Sequence, residues 1–324
     1  MSDAIGPRDL ADRPDWALSH VPVAPFVHPR SAVAPGIAPL DPADWFHVDE
    51  DHSGQMRLRD ALIAHSPDWA FDTLPEGEAA AAELLEEILI HLGARPDYKV
   101  RADGRVRRPD GVEVDTRALP SMAAAGRLVQ DDLLIMRKAE GEEEHRLVAG
   151  VLCFPAHWTL SEKIGKALLR IHMPVPEYAG DLSRRVQRFF DGVQPGRPLW
   201  RGNWHFAGRP DIVTPMREAL KTAAGHDRLA ENGDDAWLRV ERQTVLRLPR
   251  SRAVVFGVRT MVSPAEAMSS EQWRGLHATL QALPEELAVR KVSPALRARA
   301  AAESGAESGA EPEAEVGAAR RPTR

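Results

Sequence analysis

The strongest constraint on the fold is a series of β-prone runs with no regular helical crossover between them. Residues 128–136, 147–154, 199–206, 237–248 and 253–262 are dense in branched and aromatic side chains, the types that suit a pleated surface. Turns or helical inserts of uneven length separate them. Parallel neighbours need a crossover of about a dozen residues or more, usually helical. The pattern therefore predicts an α+β fold: an antiparallel β-sheet of about five strands with flanking helices, not a doubly wound parallel sheet. No G-x-G-x-x-G or G-x-x-x-x-G-K-[S/T] run is present, so a dinucleotide fingerprint and a P-loop have no support.

Upstream of the strands, residues 53–65 and 76–92 read as amphipathic helices, the second with Leu84, Leu85, Ile88 and Leu92 at helical spacing. They make the N-terminal part of the domain helical. Residues 102–115 carry two Asp-Gly turn signals around short β-prone runs and predict a small hairpin. Residues 1–40, rich in Pro and Ala, suit an extended arm but neither a helix nor a central strand. Residues 296–324 are polar and repetitive, and a disordered tail is expected because little apolar surface is there to offset ordering entropy. One domain over residues 41–295 remains.

Composition narrows the function classes. The 42 Lys+Arg against 48 Asp+Glu give a net charge of −6, which offers no whole-chain reason to expect a nucleic acid partner. Cys153 is the single cysteine, so no internal disulfide can form and a reducing compartment fits. No apolar run approaches the roughly 20 residues that span a bilayer, and the first residues lack a basic stretch followed by an apolar one. A cytoplasmic protein with no membrane partner is the expectation.

Two constellations carry chemistry. In residues 153–176, Thr159 and Glu162 have capping-box spacing. They predict a helix with Leu160, Ile164, Leu168 and Ile171 on one face and Lys163, Lys166 and Arg170 on the other, stopped by Pro174 and Pro176. His172 falls in its last turn. There an imidazole can ligate iron, or it can simply satisfy terminal carbonyls as a cap. His157 lies just ahead of that helix, while Cys153, at the end of an apolar strand, reads as a small buried hydrophobe.

The second constellation is on the strands. Alternation puts Arg201, Asn203 and His205 opposite Trp200, Trp204 and Phe206. Arg239, Glu241 and Gln243 share a face, and Arg259 shares one with Val255 and Gly257. Were these strands neighbours, one face would gather arginines, a carboxylate and amides. Such a face can hold an anionic cofactor, with Glu241 relaying protons or binding an amine. It can equally be the solvated side of the sheet. Residues 180–192 read as a helix with Leu182, Val186, Phe189 and Phe190 inward and a solvated basic face of Arg184, Arg185 and Arg188.

In order along the chain, FPAHWTLSEKIGKALLRIHMPVPEY, RVQRFFDGVQPGRPLWRGNW and WLRVERQTVLRLPRSRAVVFGVRT resemble the heme-dependent oxidative N-demethylase family, alpha-subunit-like. The earlier DWFHVDEDHSGQMRLRDALIA and LVQDDLLIMRK extend the likeness to about residues 39–262. The resemblance implies a PAS-like sheet that binds heme b. It implies oxidation of a small alkylamine such as dimethylamine by dioxygen. Electrons would come from NADPH through a flavin/iron–sulfur reductase subunit, because this chain has no cysteine cluster or flavin motif of its own. It also assigns His172 to the iron, ahead of His157 and His205. Arg201, Asn203 and Arg239 fall to the cofactor, and Glu241 and Arg259 to the catalytic pocket. A heme or small-ligand sensor of the same fold, without turnover, is the alternative.

Overall fold

The computed structural model describes residues 13–27, 36–172, 181–215 and 236–305, with the side chains of residues 172, 181–183 and 290 left out. The helical N-terminal part begins with α1 (His52–His65) and a single turn, α2 (Pro67–Ala70), then α3 (Glu78–Gly93) and α4 (Ser121–Leu128). Leu84, Ile88 and Leu92 of α3 recur every fourth residue, so they share one side, and all are fully buried. Two short strands belong with this part: β1 (Ala38–Pro39) precedes α1, and β2 (Phe71–Thr73) lies between α2 and α3. The predicted hairpin is present as β4 (Arg105–Arg107) and β5 (Glu113–Asp115), joined by β3 (Lys99–Val100) into a small three-stranded sheet.

All five predicted strands form: β6 (Asp132–Arg137), β7 (Arg146–Val151), β8 (Leu199–Ala207), β9 (Trp237–Arg247) and β10 (Val254–Pro264). They lie in one antiparallel sheet of order β1-β8-β9-β10-β6-β7-β2, with β1 and β2 as short edge pieces. The fold is α+β. The helices of the N- and C-terminal parts cover one face, and Leu168 and Phe190 pack on part of the other. Leu246, Leu248 and Val255 pack with α3 and α4, while Trp204, Phe206, Leu238, Val240 and Met261 pack with the C-terminal helices α7 (Ser270–Ala282), α8 (Glu285–Lys291) and α9 (Pro294–Glu303). Ser269 and Gln272 form a reciprocal capping box that fixes where α7 starts.

Residues 17–27 of the arm pack against the same C-terminal group, with Leu18 and Phe26 buried. Pro25 lies so close to Gly202 of β8 that a Cβ on Gly202 would sit 2.6 Å from Pro25 Cβ. Among the described residues β1 pairs only with Leu199 and Trp200, which leaves the outer edge of β8 open from residue 201 onward. No helix among the described residues is long and apolar enough to cross a membrane.

Two expectations are corrected. The tail does not begin at residue 296, because α9 runs to Glu303 with Leu296 and Ala300 buried and Ser293 capping its start. A helix of five Ala, one Leu and two Arg between Pro294 and Glu303 suffices once a packing surface is offered. Residues 306–324 lie outside the described residues. The long helix over residues 159–172 is also absent. Thr159 donates to the Glu162 carboxylate instead of capping, and the chain turns at Gly165, where φ is +75°. Gly165 N–H donates to Leu147 O (2.8 Å), Leu147 N–H to Lys166 O (3.0 Å) and Leu168 N–H to His145 O (2.9 Å), so this backbone pairs with the β7 side and does not continue as a helix. Only α5 (Leu168–His172) remains helical, and Pro174 and Pro176 lie outside the described residues. The helix α6 (Asp181–Gly192) forms as predicted, with Arg184, Arg185 and Arg188 exposed and Phe190 buried.

Candidate functional site

The site is on the sheet face that the main helices do not cover. Register places Arg201 opposite Gln243, Asn203 opposite Glu241 and His205 opposite Arg239 across β8 and β9. Thr260 of β10 stands opposite Glu241 on the other side. Alternation then aims all seven side chains to one face. The predicted gathering of arginines, amides and a carboxylate is therefore real.

Glu241 is its centre. One carboxylate oxygen, Oε2, accepts from Gln243 Nε2 at 3.0 Å and Asn203 Nδ2 at 3.4 Å, while Oε1 lies 3.6 Å from Arg239 Nε. Burial alone would push this carboxyl up, but Arg239, His205 and the two amides outweigh it and hold Glu241 below the usual carboxylate range. Arg239 is kept from collapsing onto it by carbonyls, with Nη1 donating to Ile212 (2.9 Å) and Nη2 to Phe154 (2.8 Å). His205 is pushed down to about 4, first by burial and then by the Arg239 charge, so it is neutral at pH 7. His205, Arg239, Thr214, Trp237 and Val262 line a cavity of about 110 Å³ beside it.

The Nε of Arg201 is buried with no hydrogen-bond partner among the described residues. Sequence reasoning missed its neighbour Lys291, the last residue of α8, which donates to the Trp204 carbonyl at 2.7 Å. Burial, then the charge of Arg201, pushes Lys291 down to about 8. Nothing in the local sequence pointed to it, since a basic residue ending a helix suits the macrodipole anyway.

The polar rows abut an apolar strip on the same face. Val258 stands opposite Gln243, and Phe256 joins Leu134 to Val245 across β6, β10 and β9. Leu134 and Phe256 are partly buried and pack in a cluster with Trp158, Ile164, Ile171, Val186 and Phe189. The stretch before His172 thus borders the strip. His172 itself ends α5, and its side chain lies outside the described residues. His157 sits in a left-handed backbone conformation (φ 60°), its N–H donating to Thr214 O at 2.8 Å.

Arg259 does not join this group. In register it pairs with Arg242, one step from the Thr260–Glu241 pair, so it points to the helix-covered face. There it is fully buried on Asp51 and Gln55 of the α1 region. Arg259 does share parity with Val255 and Gly257, but parity within one strand does not say which side of its neighbour it matches. Cys153 is buried, its thiol pushed up to about 12 by desolvation, and its N–H donates to Asp132 at 2.7 Å. Among the described residues no group of three or more His, Cys, Asp or Glu side chains could hold a metal ion.

A family model described as "Haem-dependent oxidative N-demethylase, alpha subunit-like" matches residues 36–300. The match takes in every strand of the main sheet, both rows of the polar site and Lys291. The chain belongs to the haem-dependent oxidative N-demethylase alpha-subunit-like family.

Proposed function

We propose that this chain is the heme b-carrying subunit of an oxidative N-demethylase that acts on a small alkylamine of the dimethylamine type. The observation that carries the reading is a largely buried carboxylate held ionised beside an apolar strip, with an arginine Nε left without an acceptor among the described residues in the same face. Heme is amphipathic, with apolar faces and a carboxylate edge, so a surface split into these two halves fits it. The first and last of the five long strands lie side by side in the middle of the sheet, which supports the PAS-like reading.

When bound, heme b supplies redox-active iron for oxidising the N-methyl group with dioxygen, two electrons and two protons, giving formaldehyde, the smaller amine and water. His172 would hold the iron, while Arg201, Asn203 and Arg239 would meet the polar edge. The electrons would come from NADPH through a flavin/iron–sulfur reductase subunit, a partner that the words "alpha subunit" favour. Glu241 does the binding work on the substrate side. An alkylammonium ion brings a positive charge and N–H donors, and a low-pKa carboxylate accepts from them without taking the proton. Asn203 and Gln243 orient Glu241, and the carbonyl-tethered Arg239 keeps it charged without closing on it. The apolar strip excludes water from the methyl group. The buried single thiol and the absence of a spanning helix among the described residues support a cytoplasmic protein.

The test is formaldehyde release from dimethylamine by heme-loaded protein with a supplied reductase. A Soret band lost in His172→Ala and turnover lost in Glu241→Gln are expected. Heme binding without formaldehyde from any short alkylamine would overturn the enzyme reading in favour of a sensor.

A further inference from the structure

The open edge of β8 carries an excess of positive charge. Lys291 reaches it from α8, with Nζ 2.7 Å from Trp204 O and 4.5 Å from the centroid of the Trp204 ring. Arg201 is close enough for its charge to disfavour protonation of Lys291. Both side chains are partly buried, and the Arg201 Nε finds no acceptor among the described residues. Glu241 is the nearby anion, but Gln243, Asn203 and Arg239 already engage it. Asp211 is used by Arg209 at 2.9 Å. Among the described residues neither Arg201 nor Lys291 has an ion pair of its own, a costly arrangement in a half-buried place unless an anion arrives.

We propose that Arg201 and Lys291 form a carboxylate-binding pair at the open edge of β8, and that the carboxylate is a propionate of the porphyrin. This rests on the heme reading above and adds a residue from the C-terminal helices to the cofactor site. The two side chains divide the work by their chemistry. A guanidinium offers parallel donors that match two carboxylate oxygens, and an ammonium adds a compact charge without a directional fork. Trp204 sets the reach of Lys291 through its ring and its carbonyl, so the ammonium is placed before the carboxylate arrives.

The experiment compares hemin with hemin dimethyl ester, which has the same macrocycle and no carboxylates. Full-length protein is titrated with each, following the Soret band and quenching of tryptophan fluorescence. Wild-type protein should bind hemin at least about tenfold more tightly than the diester. Lys291→Met and Arg201→Met should each lose about tenfold or more for hemin and leave diester binding unchanged, with Lys291→Arg restoring most of the loss. Thermal melts by circular dichroism check that each variant is folded. Wild type binding both porphyrins alike, or variants losing affinity for both alike, would overturn the pair and leave the heme reading standing. Wild type binding neither would overturn both.

Discussion

One nitrogen of Arg259, Nη2, lies between the two oxygens of Asp51, at 2.7 and 2.8 Å, with both side chains closed off from water. Gln55 Oε1 accepts from Arg259 Nη1 at 2.8 Å, and the Gln130 amide donates to Asp51 at 3.2 Å. The pair ties β10 to the start of α1. Removing one member strands the other charge in the interior, which typically costs about 3–5 kcal/mol. Arg259→Met and Asp51→Asn should each lower urea stability by roughly that much. The double variant should lose less than the sum of the two. The folded fraction of Arg259→Met should keep its heme affinity, because this arginine is on the wrong side of the sheet to meet a ligand. A selective loss of heme affinity would contradict that placement.

Glu241 sets the second prediction. Replacing it by Gln keeps the shape and the amide contacts but removes the charge that an alkylammonium would seek. Turnover of dimethylamine should fall by on the order of 100-fold while the Soret band stays. Burial would raise this carboxyl, yet Arg239 and His205 prevail and keep it below its ordinary value of 4.5. The acid limb of kcat/KM should therefore lie below pH 4.5 in wild type. An acid limb near pH 6 would mean that another group controls binding.

Buried groups of opposite sign govern the pH dependence of stability. Desolvation pushes Asp131 up from 3.8 to about 6, and neither of its oxygens has a hydrogen-bond partner among the described residues. The folded state holds this proton where the unfolded chain has lost it, so Asp131 favours folding below its unfolded value and loses ground as pH rises to 6. His52 and His205 do the reverse. Burial takes both down from 6.5 to about 4, so the unfolded chain binds their protons first and stability rises with pH across that window. Two histidines outweigh one aspartate, and wild type should gain stability from pH 4 to 6. Asp131→Asn should steepen that gain and raise stability at pH 7 by up to roughly 3 kcal/mol, as read from urea melts at several pH values.

Gly165 gives the fourth. At φ +75° an L side chain is strained, and a Cβ there would meet only Leu74 Cδ1, at 3.7 Å. The cost of Gly165→Ala is thus backbone strain and not a clash, about 1–2 kcal/mol in urea melts. A neutral result would show that the turn ahead of α5 can relax.

How far the sequence could be read follows from the range of the interactions. Strand alternation is local, so Arg201, Asn203, Arg239, Glu241 and Gln243 could be placed on faces from residue order alone, and pairing then brought them together. The side of Arg259 depended on register between β9 and β10, a non-local quantity. The helix over residues 159–172 failed for a similar reason. Its periodicity was genuine, with Leu160 and Leu168 buried, but backbone bonds to Leu147 and His145 won over helical ones. Lys291 was invisible because only the packing of α8 against β8 makes it part of anything. The start of the tail is not set by composition, which does not show that a surface awaits Leu296 and Ala300.

Gly202 and Pro25 leave one more consequence. β8 is hydrogen-bonded along one side only from residue 201 onward among the described residues, so half of what would normally hold a strand straight is missing where Arg201 and Asn203 are displayed. The N-terminal arm makes up for it from behind, pressing a proline ring into the gap left by a missing Cβ. Ligand geometry is thereby under remote mechanical control. A single methyl at position 202 would wedge the arm away and loosen the strand, detuning the site with every polar side chain in it intact.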